Sequence, residues 1–480
     1  MPTEILQNSP RRTKIICTIG PSTCSASMVA ELLQTGMDVA RINFSHGTRE
    51  EHISYIKTLR QTSKKAGLPL AIMQDLPGPK NRTGKLKKGA AELKENANLI
   101  LTTREVLGDE HRVSVGLPSL PKIVNVGDVI FLDDGTIELR VVGTSKTEVN
   151  CQVISGGKLG EDKGINIPGI TWDTPTITKE DWEHLRFGLK HDIDFVALSF
   201  IKEANDVIKV RNFIQKRKKQ PALIAKIERH EALDNLDEIL EAADGAMVAR
   251  GDLGIEIPIQ RVPIVQKEII QKCNRLGKPV IVATQMLESM VNAPRPTRAE
   301  VSDVANAIFN GTDAIMLSEE TAVGSYPVEA VSMMAQIALE AEATLPYEEI
   351  LTNKGKDLQP ETDDAISYAA CHTAHQLGAV AIIAFTSSGS TARRVAKYRP
   401  RVPILAITPS RTTQRQLSLA WGVHAFQIPE PSKIAGLFSR GARVAKRTGF
   451  AQDGDLVVIT GGVPIGISGS TNLLKVERVK

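Results

Sequence analysis

The chain has 480 residues, of which 42% are hydrophobic and 24% charged, values that are ordinary for a globular protein of several domains. Its net charge is only +4 and its aromatic content only 4%, which argues against a nucleic-acid-binding protein. Five cysteines without C-x-x-C spacing argue against a disulfide framework and a zinc site. The sequence has no signal-peptide core and no long apolar run, which predicts a cytoplasmic protein without membrane contact.

Eight short apolar runs recur through the first two-thirds of the chain, and amphipathic stretches separate most of them. Such Val- and Ile-rich runs are typical of parallel strands that are buried on both faces. They are KIICTIG (14–20), MDVARINF (37–44), PLAIMQD (69–75), IDFVALSF (193–200), ALIAKIE (222–228), GAMVARGD (245–252), PVIVATQ (279–285) and DAIMLSEE (313–320). One connecting helix has its own start signal, a capping box of Thr297 and Glu300. The pattern predicts an α/β fold, a (β/α)8 TIM barrel.

Two other regions depart from the barrel pattern. Residues 85–168 consist of short alternating runs between Gly, Asp and Asn turns, which predicts an inserted small β-barrel lid domain. From residue 346 a second series of strands and helices predicts an open α/β sheet. We therefore divide the chain into an N-terminal segment (1–12), a barrel in two parts (13–84 and 169–345), the lid (85–168) and a C-terminal α/β effector-binding domain (346–480).

The carboxyl ends of the barrel strands form the face on which TIM barrels place their active sites. Glu228 and Asp252 end neighbouring strands without His or Cys beside them, which suits a hard divalent ion such as Mg2+ or Mn2+. Lys226 shares a strand face with Glu228, and an ammonium beside a metal suits phosphoryl transfer. Arg41 and Arg82 can bind phosphate bidentately. Any one of these residues could be a solvated side chain or a structural ion pair, but their convergence on one rim favours a metal-dependent phosphotransferase.

The C-terminal domain contains two loops of small residues. The first lies between a predicted strand and a predicted helix and comprises Thr386, Ser387, Ser388, Gly389, Ser390 and Thr391. Backbone N–H groups and a helix N-terminus can hold a phosphate there, although the P-loop pattern is absent. The second loop, residues 461–472, is rich in glycine. One such loop could be a simple turn, whereas two in one domain favour a site for a phosphorylated effector.

At these residues the chain resembles the pyruvate kinases, from Thr13 onward. The matching stretches are TKIICTIGPS, ARINFSHGT, DLPGPKNRTG, LDDG, GINIPG, AKIE, VARGDLG, ATQMLESM, PTRAEVSDVANAI and MLSEETAVGSYP. The resemblance implies an allosteric, homotetrameric, cytoplasmic enzyme of glycolysis. Its reaction would be phosphoryl transfer from phosphoenolpyruvate to ADP, giving pyruvate and ATP, with a divalent metal.

The resemblance also implies roles for individual residues. Catalysis would fall to Lys226, Arg41, Thr284 and Ser318, with the last two as candidates for the route by which the enolate is protonated. Substrate binding would fall to Arg41, Gly251, Asp252 and Thr284, and nucleotide binding to Arg82, Lys163, Asn43 and His46. The divalent metal would be held by Glu228 and Asp252.

The family's monovalent-cation pocket matches Asn43, Ser45, Asp75 and the carbonyl of Leu76. In many members, the motif that here reads DLPGPKNRTG carries Glu where this chain has Lys80. We expect the Lys80 ammonium to act as an internal cation, so that K+ is not required. The alternative is that Lys80 turns outward as a solvated side chain.

Two other functions fit part of this sequence. A metal-dependent lyase or aldolase on a related pyruvate-binding barrel would release pyruvate from a larger acid without a nucleotide, but it does not explain the lid, Lys163 or the C-terminal domain. A catalytically silent regulatory protein would keep the fold and bind sugar phosphates. Loss of Lys226, Glu228 or Asp252 would favour that second alternative, and all three residues are present.

Overall fold

The barrel begins with three parallel strands and two helices. They are β1 (Lys14–Thr18), α1 (Ala26–Thr35), β2 (Val39–Asn43), α2 (Arg49–Ala66) and β3 (Ala71–Asp75). The computed structural model describes residues 11–79, 81–170, 174–216, 220–429, 434–464 and 470–480. Helix α2 begins at a capping box of Thr48 and Glu51 and ends at Gly67, whose left-handed φ of 69° stops the helix. Every residue of β1 and β3 is buried, as strands covered on both faces require.

The lid follows β3 and has an apolar core of its own. Its elements are β4 (Ala90–Leu93), β5 (Asn98–Thr102), β6 (Arg112–Ser114), α3 (Leu120–Ile123), β7 (Val129–Leu132), β8 (Ile137–Thr144), β9 (Glu148–Ser155), β10 (Gly157–Gly160) and β11 (Ile165–Asn166). Six strands form one sheet in the order β11-β7-β8-β9-β5-β6, and β10 pairs with β4. Alternate residues of β8 and β9, such as Leu139 and Val153, are fully buried in the lid core. This alternation is the pattern that distinguishes the lid from the barrel in the sequence.

Five further strands complete the barrel. The elements of this part are α4 (Lys179–Lys190), β12 (Phe195–Leu198), α5 (Ala204–Ile214), β13 (Ala222–Ile227), α6 (His230–Asp234), α7 (Leu236–Ala242), β14 (Gly245–Ala249), α8 (Arg250–Glu256), α9 (Val262–Leu276), β15 (Val280–Ala283), α10 (Arg298–Phe309), β16 (Ala314–Leu317), α11 (Glu319–Ala322) and α12 (Pro327–Ala343). The strands close in the order β1-β2-β3-β12-β13-β14-β15-β16, which confirms the predicted TIM barrel. The capping box of Thr297 and Glu300 is also confirmed at the start of α10.

The C-terminal domain is a five-stranded sheet with helices. Its elements are α13 (Tyr347–Lys356), α14 (Thr362–Leu377), β17 (Ala381–Phe385), α15 (Ser390–Lys397), β18 (Ile404–Thr408), α16 (Arg411–Gln416), β19 (Val423–Gln427), α17 (Ile434–Arg447), β20 (Leu456–Gly462) and β21 (Thr471–Arg478). The order is β19-β18-β17-β20-β21, with only β21 antiparallel to its neighbour. Within the described ranges, no helix is long and apolar enough to cross a membrane.

The C-terminal domain packs against the amino end of the barrel. Arg415 Nε lies 2.6 Å from Asp194 Oδ1, just before β12, and Arg399 Nη1 lies 2.8 Å from Asp313 Oδ1, just before β16. Lys14 Nζ, at the start of β1, donates to the carbonyl of Val423 at 2.8 Å. The domain therefore contacts the end of the barrel opposite the carboxyl rim on which the predicted site lies.

Candidate active site

Lys226 is the centre of a polar cluster at the carboxyl rim of the barrel. Its Nζ lies 2.9 Å from Glu228 Oε1 and 3.3 Å from Asp75 Oδ1, and it donates to Ser199 Oγ at 2.7 Å. Burial by itself lowers the pKa of the Lys226 ammonium, but the charges of Asp75 and Glu228 outweigh burial and raise it. Lys226 is therefore a fixed cation in a poorly solvated site.

Arg41 shares the Asp75 carboxylate with Lys226. Arg41 Nε lies 2.6 Å from Asp75 Oδ2, and Nη1 donates to Thr18 Oγ1 at 3.0 Å. Burial favours the neutral form of Asp75, but Lys226 and then Arg41 outweigh burial and lower its pKa. One buried carboxylate thus orients two cations from different strands. Their remaining hydrogen-bonding capacity suits an anion with several oxygens.

The two oxygens of the Glu228 carboxylate have different partners. Oε2 accepts from the backbone N–H of Phe200 at 2.7 Å. Oε1 is buried without an aligned hydrogen bond, although it lies 2.9 Å from Lys226 Nζ. Phe200 has a left-handed φ of 55°, a conformation that non-glycine residues rarely adopt. A strained backbone thus aims an N–H at one oxygen of the carboxylate, and the other oxygen faces the Lys226 ammonium.

Asp252 lies in the first turn of α8, after β14, and acts electrostatically on Glu228. Burial raises the pKa of Glu228, Lys226 opposes that effect, and the negative charge of Asp252 raises the pKa further. Two neighbouring carboxylates, with neither His nor Cys in the pair, fit a hard divalent cation. The residues present therefore suit the predicted Mg2+ or Mn2+.

The loop after β15 is held against the start of α8. The backbone N–H of Gly251 donates to Thr284 Oγ1 at 2.9 Å, and that hydroxyl donates to the Ala283 carbonyl at 2.6 Å. Arg250 Nη2 donates to the Thr284 carbonyl at 2.6 Å. Thr284 and Gln285 have left-handed φ angles of 67° and 52°. The structure therefore brings Gly251 and Thr284 together, as the substrate assignment needs, in a second strained turn of the rim.

Ser318 follows β16 on the same rim, beside the strand that leads to Thr284. Its backbone N–H donates to Glu320 Oε2 at 2.7 Å, and the other Glu320 oxygen accepts from Leu287 N–H at 3.1 Å. Burial raises the pKa of Glu320. Glu320 therefore links the loops after β15 and β16.

The residues assigned to a monovalent cation occupy neighbouring strand ends. Asn43 Oδ1 accepts from Ser45 N–H at 3.1 Å, and the Leu76 carbonyl accepts from Ser199 Oγ at 2.7 Å. Asp75, which is 1% exposed, carries the two ion pairs described above. Lys80 lies outside the described residues, so its predicted place beside this group stays a prediction.

The residues assigned to the nucleotide lie at the edge of the rim and on the lid. Arg82 Nη1 donates to the Asp162 carbonyl at 2.7 Å, and Lys163 Nζ lies 2.8 Å from Asp133 Oδ1. These contacts are with the lid rather than with Lys226 or Glu228. His46 is exposed, and its carbonyl lies 2.9 Å from His52 Nε2. The contacts given for these three residues are therefore with groups outside the Lys226 cluster.

The first small-residue loop of the C-terminal domain forms a tight turn into α15. Gly389 has a φ of 88°, and a Cβ there would lie 2.7 Å from Arg393 Nη1, so both backbone and space favour glycine. Thr386 Oγ1 accepts from Gly389 N–H at 2.9 Å. Thr391 Oγ1 lies 2.7 Å from Thr471 Oγ1. The two predicted loops are therefore adjacent, although residues 465–469 of the second lie outside the described ranges.

The sequence pattern missed several residues that shape the site. Thr18 binds Arg41, Ser199 binds Lys226, and the Phe200 N–H binds Glu228. Thr18 and Ser199 are at or next to the carboxyl ends of predicted strands, so their position was a usable signal. The left-handed backbone of Phe200 has no such signal, because its side chain gives no indication of a positive φ.

A second polar network lies beside the metal-ligand candidates and was also missed. His230 Nδ1 lies 3.1 Å from Glu256 Oε2 and 3.2 Å from Glu231 Oε2. Arg229 binds both oxygens of Glu231 at 2.9 Å and donates to the Ile170 carbonyl at 3.1 Å. This network connects the segment after Glu228 with helix α8 and with the return from the lid.

Comparisons with known proteins give the family. The model of "Pyruvate kinase, barrel domain" matches residues 10–331, and that of "Pyruvate kinase, alpha/beta domain" matches residues 364–477. A pyruvate kinase of Geobacillus stearothermophilus is 49% identical over 98% of this chain and 80% of its own. One of Staphylococcus aureus is 46% identical with the same coverage. A solved pyruvate kinase structure from Cryptosporidium parvum has a TM-score of 0.93 at 36% identity, covering 99% of this chain and 97% of its own. The chain belongs to the pyruvate kinase family.

Proposed function

We propose that this chain transfers the phosphoryl group of phosphoenolpyruvate to ADP in the last step of glycolysis, with Mg2+ or Mn2+. The observation that carries the proposal is the placement of the Lys226 ammonium 2.9 Å from Glu228 and 3.3 Å from Asp75 at the rim. A P–O bond to the enol oxygen breaks, a P–O bond to the terminal oxygen of ADP forms, and the enolate takes a proton at carbon.

Lys226 and Arg41 would stabilise the charge that develops during transfer. Both are held by Asp75 before substrate arrives, so little reorganisation is needed when charge spreads over the phosphoryl oxygens. Such preorganisation lowers the transition-state energy more than it strengthens ground-state binding.

Glu228 and Asp252 would hold the divalent cation. When bound there, the cation would supply Lewis-acid stabilisation for substrate oxygens. The Phe200 N–H fixes one Glu228 oxygen at 2.7 Å and so sets the direction of the other. The Gly251 backbone and the Thr284 hydroxyl would orient the carboxylate end of the substrate.

Protonation of the enolate would use the hydroxyl groups of Thr284 and Ser318, at the ends of neighbouring strands. Glu320 supports this route by binding the Ser318 backbone and the loop after β15. The nucleotide would be bound by Arg82, Lys163, Asn43 and His46. Because Lys163 pairs with Asp133 at 2.8 Å within the lid, a nucleotide phosphate would compete with Asp133 for the Lys163 ammonium.

The C-terminal domain would bind a phosphorylated effector at residues 386–391 of a cytoplasmic homotetramer. The turn at Gly389 and the contact of Thr391 with Thr471 support a preformed loop at the start of α15. Replacing Ser388 and Ser390 by Asp puts negative charge where the phosphate would lie. The double variant should lose activation by sugar phosphates or nucleoside monophosphates and keep its basal turnover. Activation that survives this change would contradict the assignment.

A coupled assay for pyruvate tests the reaction. Phosphoenolpyruvate plus ADP should give pyruvate and ATP in equal amounts with Mg2+ and almost none with a chelator. Glu228→Gln should raise the Mn2+ dissociation constant, while Glu183→Gln, at an exposed residue of α4, should not. Pyruvate release from a larger acid without nucleotide would instead support a lyase.

A further inference from the structure

A cavity of about 440 Å³ lies between the barrel and the C-terminal domain. Helices α9 and α10 contribute its barrel wall, including Asn274 and Phe309. Helices α13 and α15 and the segment before β19 contribute the other wall, including Lys354 and Trp421. None of the lining residues belongs to the rim or to the loop of residues 386–391. The volume is in the range of sites for small organic molecules.

The cavity wall includes a partly buried lysine, Lys354. Lys354 Nζ donates to Asn274 Oδ1 at 3.0 Å, and within the described part of the chain no carboxylate forms an ion pair with it. The two buried cations of the wall have carboxylate partners, since Lys397 binds Asp364 and Arg399 binds Asp313. Arg399 still has a buried Nε without a hydrogen-bond partner. The wall therefore offers hydrogen-bond donors that the described residues leave without a carboxylate ion pair, at Lys354, or without any hydrogen bond, at Arg399 Nε.

Other residues of the cavity wall are apolar or aromatic. Trp421 is 2% exposed, and the Arg399 guanidinium lies over its ring at 4.9 Å from the centroid. The remaining apolar lining comes from Ile308, Phe309, Leu345 and Ile350. Apolar walls with a few convergent polar groups are typical of small-molecule sites.

We propose that this cavity binds a small organic carboxylate with an aromatic or aliphatic body, with the carboxylate at Lys354 and Arg399 and the body against Trp421. A carboxylate is preferred over a dianion because, among the described residues, only Lys354 of the partly or fully buried cations of the wall has no carboxylate ion-pair partner. The acidic residue of the lining, Asp357, is exposed, so water screens its charge.

Occupation of the cavity would reach the active site through Asp313. Asp313 Oδ1 binds Arg399 at 2.8 Å, and Oδ2 accepts from Val280 N–H at 3.0 Å, at the start of β15. Thr284 follows the other end of that strand. A carboxylate that competes for Arg399 therefore acts on a strand that positions a substrate residue, and its binding should change KM for phosphoenolpyruvate.

Isothermal titration of the whole enzyme with 2-naphthoate, and separately with the neutral 2-naphthamide, tests the site. We expect saturable binding of the naphthoate below ~10 mM and at least ~10-fold weaker binding of the amide, equivalent to ~1.4 kcal/mol. Lys354→Met should weaken naphthoate binding by a similar factor, Lys354→Arg should keep it, and Lys356→Met, at an exposed lysine on the same helix, should not change it.

A second variant tests the site independently, in case Lys354→Met does not fold. Asn353 is exposed at the edge of the cavity, so Asn353→Trp should block the cavity without touching the buried charges. It should abolish naphthoate binding and leave turnover without naphthoate unchanged. Equal binding of acid and amide, full binding by Asn353→Trp, or no binding by the unmodified enzyme would each overturn the proposal.

Discussion

Arg415 and Asp194 form a buried ion pair between the two large domains, with Nε 2.6 Å from Oδ1. The other oxygen of Asp194 lies 2.7 Å from Arg60 and accepts from Ile72 N–H at 2.8 Å. Asp194 immediately precedes β12, and Ser199 and Phe200 follow that strand at the rim. Helix α16, which carries Arg415, also carries Thr413, whose hydroxyl donates to the Ser387 carbonyl at 2.9 Å. Contacts therefore extend from the proposed effector loop to the groups that bind Lys226 and Glu228.

Replacing Arg415 with Gln should weaken both stability and effector response. The Asp194 carboxylate would lose one of its two charged partners, so we expect a loss of ~1–3 kcal/mol in the free energy of unfolding. The shift of KM caused by an activating sugar phosphate should become smaller, with kcat nearly unchanged. Denaturant unfolding and kinetics with and without the sugar phosphate measure the two effects. Arg411→Gln, at an exposed residue of the same helix, is the matched control. An undiminished KM shift in Arg415→Gln would show that the pair does not couple the sites.

Replacing Lys226 with Met should reduce kcat by ~10²-fold or more, with a small effect on KM, because a preorganised charge is lost from the transition state. Steady-state kinetics at saturating metal provide the measurement. Lys209→Met, at a largely exposed lysine of α5, should behave like the unmodified enzyme. A Lys226→Met enzyme with normal kcat and raised KM would mean that Lys226 binds substrate rather than acting in the transition state.

Replacing Lys354 with Met should stabilise the protein, and more so in acid. Burial, and then repulsion from Arg399, lower the pKa of Lys354 to about 7 from 10.5. The charge of Lys397 also lowers this pKa, whereas the charges of Asp313 and Asp357 raise it. Below the pKa of about 7, the folded protein keeps a charged ammonium in a poorly solvated place, which destabilises it. Between this pKa and 10.5, Lys354 is mostly neutral in the folded protein but still charged in the unfolded chain. The destabilisation caused by Lys354 therefore decreases as the pH rises. The gain in Tm should therefore be larger at about pH 6 than at about pH 9. Lys356→Met should show no such trend, and a gain independent of pH would exclude Lys354 as the titrating group.

Local sequence patterns predicted the helices and strands. The side-chain contacts in the candidate site and between domains depend on residues far apart in the sequence. Helix α9 ends at Gly277, which has a left-handed φ of 66°. A glycine directly after a stretch with helical hydrophobic periodicity predicts such a helix end. Lys226 and Glu228 could be placed on one face because side chains alternate along a strand. The sharing of Asp75 by Arg41 and Lys226 could not be predicted, because it depends on how three strands are arranged in the closed barrel. The Arg415–Asp194 ion pair could not be predicted either, because no sequence pattern within one domain indicates which residues contact another domain.

The last prediction is that the enzyme works without K+. Asp75, the only carboxylate among the four matched cation-pocket residues Asn43, Ser45, Asp75 and Leu76, already binds Arg41 at 2.6 Å and Lys226 at 3.3 Å. A Lys80 ammonium at the same rim would add another positive charge. Two cations separated by ~4–6 Å repel by ~1–4 kcal/mol, depending on the local dielectric, so K+ and the ammonium should exclude one another.

Activity should therefore persist when every alkali cation is replaced by tetramethylammonium at fixed ionic strength. Lys80→Glu should create a K+ requirement, because it removes the internal cation and supplies a carboxylate for the ion. Lys88→Glu makes the same change of charge at an exposed residue of the lid and should leave the enzyme independent of K+. If Lys80 is merely solvated, Lys80→Glu and Lys88→Glu should respond to K+ alike. Strong activation of the unmodified enzyme by K+ would show that Lys80 does not replace the ion, since a tethered ammonium in the pocket leaves no favourable place for a second cation.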